Sequence, residues 1–430
     1  MFQLKTILKF RILAVAVAVS AILSQARAAD PSATVYSMTQ CEGSLTPYPR
    51  EIKSPQTPDS LVAVYLSHVG RHGSRYPASA ANTLKMRDAL LQAREAGTIT
   101  PLGNELLGLC DRIIELSTNR WGALDSLGQS EQRAIASRMF ANFPELFTDG
   151  TVNAISSYSP RAMMSMFSFV HQLDRLNNKL EILTSTGRLN SGLMRPFDGS
   201  EYLDWRNAGY WKGAYDEYFD QFCPLTAIIR VLGRDFPFGD TAKARELAIT
   251  EYYVVAGCQA MQLPSVMDKY FNAAEANALW SCFNLRQYLQ RTSTTVQNGS
   301  VPSDIAGPLL LDIVNKAEQA LAGDNPAVVD LRFGHAETVM PLVSLMRLPG
   351  CFYLTNYFDT VASHWRDWQV VPMAANLQLI LFRERKSGRI YCRVDLNEQP
   401  IPVLPGDQRL YVPWGDLRKY LMNKIPVYSY

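Results

Sequence analysis

The sequence predicts an α/β fold: a central, mostly parallel sheet flanked by helices, with an inserted α-helical cap. Two observations carry this. First, "LVAVYLSHVGRHGSRYP", "VNAISSYSPRAMMSMFSFVHQL" and "AVVDLRFGHAETVMPLVSLM" share one order, an apolar strand-like run, a charged loop and then a helical pattern. Strand–loop–helix repeated in this way builds a parallel sheet, and ligands in such sheets sit at the carboxyl ends of the strands. Second, residues 190–325 drop the pattern: "WRNAGYWKGAYDEYFDQFC" and "FNAAEANALWSCFNLRQYLQRT" read as aromatic-rich helices without alternating strands.

Along the chain, residues 1–28 read as a secretory signal peptide. Lys5, Lys9 and Arg11 precede an apolar run from Ile12 to Leu23, and Ala26-Arg27-Ala28 supplies a small-x-small cleavage site. This run is too short to span a bilayer, and no later apolar stretch reaches about 18 residues. The expected mature protein is therefore exported, and free of the membrane. Removing the peptide takes four basic residues from 42, leaving 38 against 40 acidic, or −2. Global charge thus offers nothing to nucleic acid, and any anion must be held by a local arrangement. The α/β core is expected over 29–189 and 326–430, and the helical cap over 190–325.

Within the first unit the helix-like "ANTLKMRDALLQAREAG" ends at Gly97. In the second, Ser159 can cap a helix, with Pro160 at its first position. After the third, "NLQLILFRERKSGRIYCRVDL" predicts a hairpin turning at Lys386-Ser387-Gly388 that extends or edges the sheet. Seven cysteines follow no zinc spacing and read as buried small residues or a disulfide or two. Five histidines without such spacing predict no metal site, and no cofactor is implied.

The stretch "SHVGRHGSRYP" puts two histidines and two arginines where a strand ends. An imidazole is a competent nucleophile near neutral pH, and guanidinium forks match phosphate oxygens. A phosphoryl group in transfer needs its equatorial oxygens neutralised. His72 flanked by Arg71 and Arg75 meets that need without metal, and Gly73 allows close backbone approach. Arg161, in the first turn of the second unit's helix, completes a clamp where the helix dipole also favours anions. "GHAET" supplies His335 and Glu337 at the end of the third strand. Glu337 as proton donor must be protonated when substrate is bound, and a polyanion or partial burial shifts it that way. His68 reads as scaffold, and His171 and His364 as helix-face or loop positions.

Arg71-His72-Gly73-Ser74-Arg75-Tyr76-Pro77 resembles the RHGxRxP motif of the histidine acid phosphatases, clade 2 of the histidine phosphatase superfamily. His335-Ala336-Glu337, where most members carry His-Asp, resembles the multiple inositol polyphosphate phosphatase subgroup, as do "FGHAETVMPL", "MRPFDG", "PMAANLQLILF" and "LNEQPIPVLP". The resemblance implies a metal-independent phosphomonoesterase acting on phytate and lower inositol phosphates. His72 is then the nucleophile, Glu337 the proton donor, and Arg71, Arg75, Arg161 and His335 the holders of the scissile phosphate. It also implies an α/β core with a helical insertion. The final "VYSY" lacks the retention signal of the vertebrate members, so a periplasmic or secreted setting is expected, although Asn298-Gly299-Ser300 forms a glycosylation acceptor. Two alternatives stay open: a broad acid phosphatase or phosphotransferase on sugar phosphates or bisphosphoglycerate, and a binding protein without turnover. Lys85, Arg188, Arg195 and Lys212 are candidates for the wall around a polyphosphate.

Overall fold

In the computed structural model, residues 35–53, 55–293 and 301–426 are described. The expected leader, the Asn298 acceptor and the final "VYSY" lie outside them. Residues from Tyr36 onward form one compact unit.

Strands β1 (Leu61–Arg71), β2 (Thr151–Ser156), β3 (Glu181–Ser185), β4 (Ala327–Gly334), β5 (Asn376–Glu384), β6 (Ile390–Leu396) and β7 (Gln399–Ile401) lie in the order β3-β2-β4-β1-β5-β6-β7. A short β8 (Val412–Pro413) pairs with β6. The first four strands in this order are parallel, and β5, β6 and β7 continue antiparallel. The predicted hairpin is β5–β6, turning through Gly388 at φ 71°, a left-handed geometry that glycine adopts without strain. It extends the sheet beyond β1.

The helix after β1 spans Ala81–Glu95, that after β2 Pro160–Leu176, and that after β4 Ala336–Leu345. Ser159 stands at the N-cap with extended backbone, but its side chain makes no capping bond, contrary to expectation. The hydroxyl of Ser157 accepts the Ser159 amide instead, at 3.3 Å, so this turn is braced from before the cap.

Both faces of the sheet are buried, as parallel strands require. Tyr65 and Val69 join one apolar cluster with Val339, Leu377 and Trp205. Ala63 and Leu66 face a second with Phe169, Phe333 and Phe382. Ala63 and Tyr65 share sequence parity yet face opposite clusters, because the β1–β5 register shifts between them.

The described part of 190–325 is helical, as predicted, but not self-contained. Met86, Leu90 and Leu106 of the Ala81–Glu95 and Pro101–Ser117 helices share a third apolar cluster with Ile228, Tyr252, Trp280 and Phe283. Local periodicity identifies helices but not their partners, so these two were assigned to the sheet's own layer. All seven cysteines are buried and unpaired, taking the first of the two readings given them. Among the described residues, no helix is long and apolar enough to cross a membrane.

Candidate active site

Because β2, β4 and β1 are parallel, their carboxyl ends meet at one edge. Register sets Arg71 opposite Gly334 and Ser156 opposite Phe333. The next residues continue the pairing. The His72 amide donates to the Gly334 carbonyl at 3.1 Å and the Ser157 amide to that of Phe333 at 3.0 Å. His72, Ser157 and His335 therefore stand side by side, with the two imidazole centroids 5.6 Å apart.

The loop that follows His72 is fixed by hydrogen bonds and by contact. The buried Glu131 carboxylate accepts from the Ser74 amide and hydroxyl, both at 2.7 Å, and from the Tyr48 amide at 2.9 Å. The Gly73 amide donates to the Ser165 hydroxyl at 3.1 Å. A β-carbon on Gly73 would lie 2.5 Å from the Gly128 carbonyl oxygen, and one on Gly128 2.2 Å from that of Ser74. Only glycine fits at either position.

Nδ1 of His72 lies 2.9 Å from the Gly73 carbonyl. A carbonyl only accepts, so Nδ1 carries the hydrogen and Nε2 keeps the lone pair. Burial, then Arg161, Arg71, Arg75 and His335, hold this imidazole well below its ordinary basicity. It is neutral and nucleophilic.

Arg71 donates through Nη1 to the carbonyls of Ser44 and Val371, both at 2.6 Å, and Arg75 to that of Tyr76 at 2.8 Å. Arg161 reaches Nδ1 of His335 at 3.2 Å. None of these bonds goes to a carboxylate, and the Nε of each arginine is buried without a partner. Burial brings Arg71 down to about 10 and Arg75 to about 9, the latter aided by Arg161 and Arg71. All remain cationic at neutral pH, so the cluster carries uncompensated positive charge.

His335 follows β4. Its Nε2 lies 2.9 Å from the Ser157 hydroxyl and 3.2 Å from Nη1 of Arg195. Phe197 meets the ring edge-on at 5.5 Å. Burial, with Arg161, keeps His335 at about 3. Both arginines only donate, and a neutral imidazole accepts at one nitrogen alone, so one of the two guanidinium contacts is not a hydrogen bond in the empty site. Donors outnumber acceptors here, the condition in which an anion is welcome.

Glu337 lies two residues beyond His335, in the first turn of the helix after β4, and is one-third exposed. Its Oε1 accepts from Nη2 of Arg291 at 3.0 Å. Burial does raise this carboxyl, as expected, but in the empty site Arg291, His335, a backbone amide and Arg71 outweigh it and hold Glu337 below the usual carboxylate range.

All six predicted site residues, His72, Glu337, Arg71, Arg75, Arg161 and His335, meet at this strand edge. Of the wall candidates, Arg195 contacts His335, and both Arg188 and Arg195 lie over the Tyr158 ring at 4.8 and 4.7 Å. Lys85 instead pairs with Glu246, and Lys212 donates to the Asn207 carbonyl. A cleft of about 470 Å³ opens beside Arg195, lined by Ser191, Asp198, Ser200, Tyr202 and Ile305. His68 is buried against Phe169 and Phe333 without a hydrogen bond, and His171 and His364 are exposed. Sequence reasoning missed Arg291, Glu131, Ser157, Ser165 and Gly128. Ser157 was the most accessible, since it directly follows the second strand. Arg291 ends a helix 46 positions from Glu337 and carries no local signal.

No protein-family model matches the chain. The chain is 26% identical to human "multiple inositol polyphosphate phosphatase 1" over 83% of its length and 77% of the relative's. It is 25% identical to the chicken protein of that name, over 84% and 82%. Its fold matches the crystal structure of Bifidobacterium longum multiple inositol polyphosphate phosphatase in complex with inositol hexasulfate, with a TM-score of 0.74 at 18% identity, covering 89% of this chain and 97% of that one. It matches the phytase from D. castellii with a TM-score of 0.70 at 18% identity, covering 93% and 88%. The fold is that of the histidine acid phosphatases. The sequence relatives and the fold neighbours alike are inositol polyphosphate phosphatases and phytases, and they support a phytase-type family.

Proposed function

We propose that the chain hydrolyses phosphate monoesters of inositol polyphosphates, phytate foremost, through a phosphohistidine at His72. One observation carries this reading: a neutral imidazole with its free lone pair on Nε2 stands among three guanidinium groups that no carboxylate satisfies. Nε2 attacks phosphorus as the ester oxygen departs, and Arg71, Arg75, Arg161 and His335 stabilise the equatorial oxygens. Glu337 gives its proton to the leaving alkoxide. Water then attacks the phosphohistidine, Glu337 takes its proton, and phosphate leaves with His72 restored. Arg188 and Arg195 at the cleft supply cations for phosphate groups not being cleaved. The names of the sequence relatives support an inositol polyphosphate as substrate. The leader pattern of residues 1–28 supports export to a periplasmic or extracellular setting.

The test is phosphate release from inositol hexakisphosphate by the wild type and by His72→Ala. Release by the wild type alone supports the reading, and equal rates sink the mechanism. Faster turnover of sugar phosphates than of phytate moves the substrate to a broad acid phosphatase.

A further inference from the structure

We propose that Arg291 is a substrate-operated lock on Glu337: a second phosphate of the bound substrate draws off its guanidinium, and the carboxyl then takes one proton from solvent. This rests on the phosphatase reading above and adds how that site selects polyphosphates.

The starting point is the conflict at Glu337. A proton donor must be protonated, yet in the empty site this carboxylate is ion-paired with Arg291 at 3.0 Å. The groups that face it come from every side of the site: Arg291 and Tyr202 from the helical region, Arg71 and Arg75 from β1 and its loop, Arg161 from the helix after β2, Arg195 from the cleft and His335 from its own turn. Against these five guanidinium groups stand Glu337 itself, Asp198, which pairs with Arg195 at 2.6 Å, and Asp367 and Glu131, which act on Arg71. The guanidinium groups outnumber the carboxylates, and Arg291 is held by Glu337.

Arg291 itself sets the threshold. A lone phosphate dianion is held by Arg71, Arg75 and Arg161, and Glu337 stays ionised against Arg291. A substrate with further phosphate groups offers one of them to Arg291, and the carboxylate that loses this partner binds a proton. Arg291 is well placed to respond. Its other hydrogen bonds go only to Gln287 and Gln290 of its own helix, and its Nε is buried without a partner. Among the described residues, Glu337 is its one side-chain anchor outside that helix. The Tyr202 hydroxyl beside the pair is also buried and unpartnered. The proton taken up is the one later delivered to the leaving alkoxide, so binding loads the acid and P–O cleavage discharges it.

The experiment is calorimetric titration of the full protein with inositol hexasulfate at mildly acidic pH, in buffers of different ionisation enthalpy. Sulfate groups do not titrate there, so proton uptake reports the protein. The expected result is an uptake approaching about one proton per site, and little with inorganic sulfate. Equal or no uptake with both overturns the lock. Kinetics on a monophosphate ester of a poor leaving alcohol give a second readout. The alkaline limb of its pH profile moves up by about 1–3 pH units in Arg291→Met, and Arg291→Lys returns it toward the wild-type position. An unmoved limb in a Met variant that melts normally also overturns the proposal. Uptake without turnover would sink the phosphatase reading alone, and turnover without uptake the lock alone.

Discussion

His68 lies on β1 and His72 four residues further on, just past its end, and both are buried and neutral. Only one is equipped to react. His68 sits mid-strand between the rings of Phe169 and Phe333, with neither nitrogen hydrogen-bonded. Burial, with a contribution from Arg332, brings it down to about 3. His72 lies one residue past the strand's end, where the backbone turns back to hold Nδ1 and three arginines converge. Neutrality is thus common to both, and tautomer control and a cluster of three arginines belong only to the strand end. Position at the strand's end, not residue type, sets the proposed nucleophile apart.

The sharpest way to break this contrast is His72→Ala, which should cut phosphate release by about 10⁴-fold or more in a steady-state assay, because it removes the attacking atom. Next, Glu337→Gln should slow esters of poor leaving alcohols by about 10²–10⁴-fold and p-nitrophenyl phosphate much less. Equal slowing of both would give Glu337 another role. Third, Gly73→Ala should cost about 1–3 kcal/mol of stability by denaturant unfolding, since its β-carbon meets the Gly128 carbonyl at 2.5 Å. A silent substitution there would mean that the loop is not held by that contact.

The smallest effect is expected at His68. His68→Phe should leave phosphate release unchanged and shift stability at neutral pH by about 1 kcal/mol or less, as no hydrogen bond is lost. Its pH dependence has a definite sign. An imidazole held down to about 3 when folded binds fewer protons than in the unfolded chain, so stability is full above about 6.5 and is lost as pH falls toward 3. The Phe variant should therefore gain on the wild type across that window, and a gain at alkaline pH instead would contradict the assignment.

The same contrast explains what the sequence could disclose. β1, β2 and β4 with their following helices, and the β5–β6 hairpin, were legible because each has its own period and turn residues. The predicted site residues lie at the strand ends, in the loop after β1 or in the first turns of the following helices, so knowing the strands located them. Arg291 and Glu131 reach the site from helices whose placement depends on packing against distant segments, and no local period encodes it. Nor could the sequence tell that the helices at 81–117 share a core with 226–283, because apolar helix faces do not name their partners. The state of Glu337 in the empty site depends on a partner of the same kind. Burial raises the carboxyl as expected, but the guanidinium of Arg291, which no local pattern announces, helps to override it.

The central claim is that phosphate transfers to His72. Rapid mixing with labelled inositol hexakisphosphate, an alkaline quench and trypsin cleavage after Arg71 would put His68 and His72 on different peptides. Label on the peptide beginning at His72, absent from His72→Ala, is the predicted result. Label on the His68 peptide, or none on either while phosphate is released, would contradict the account.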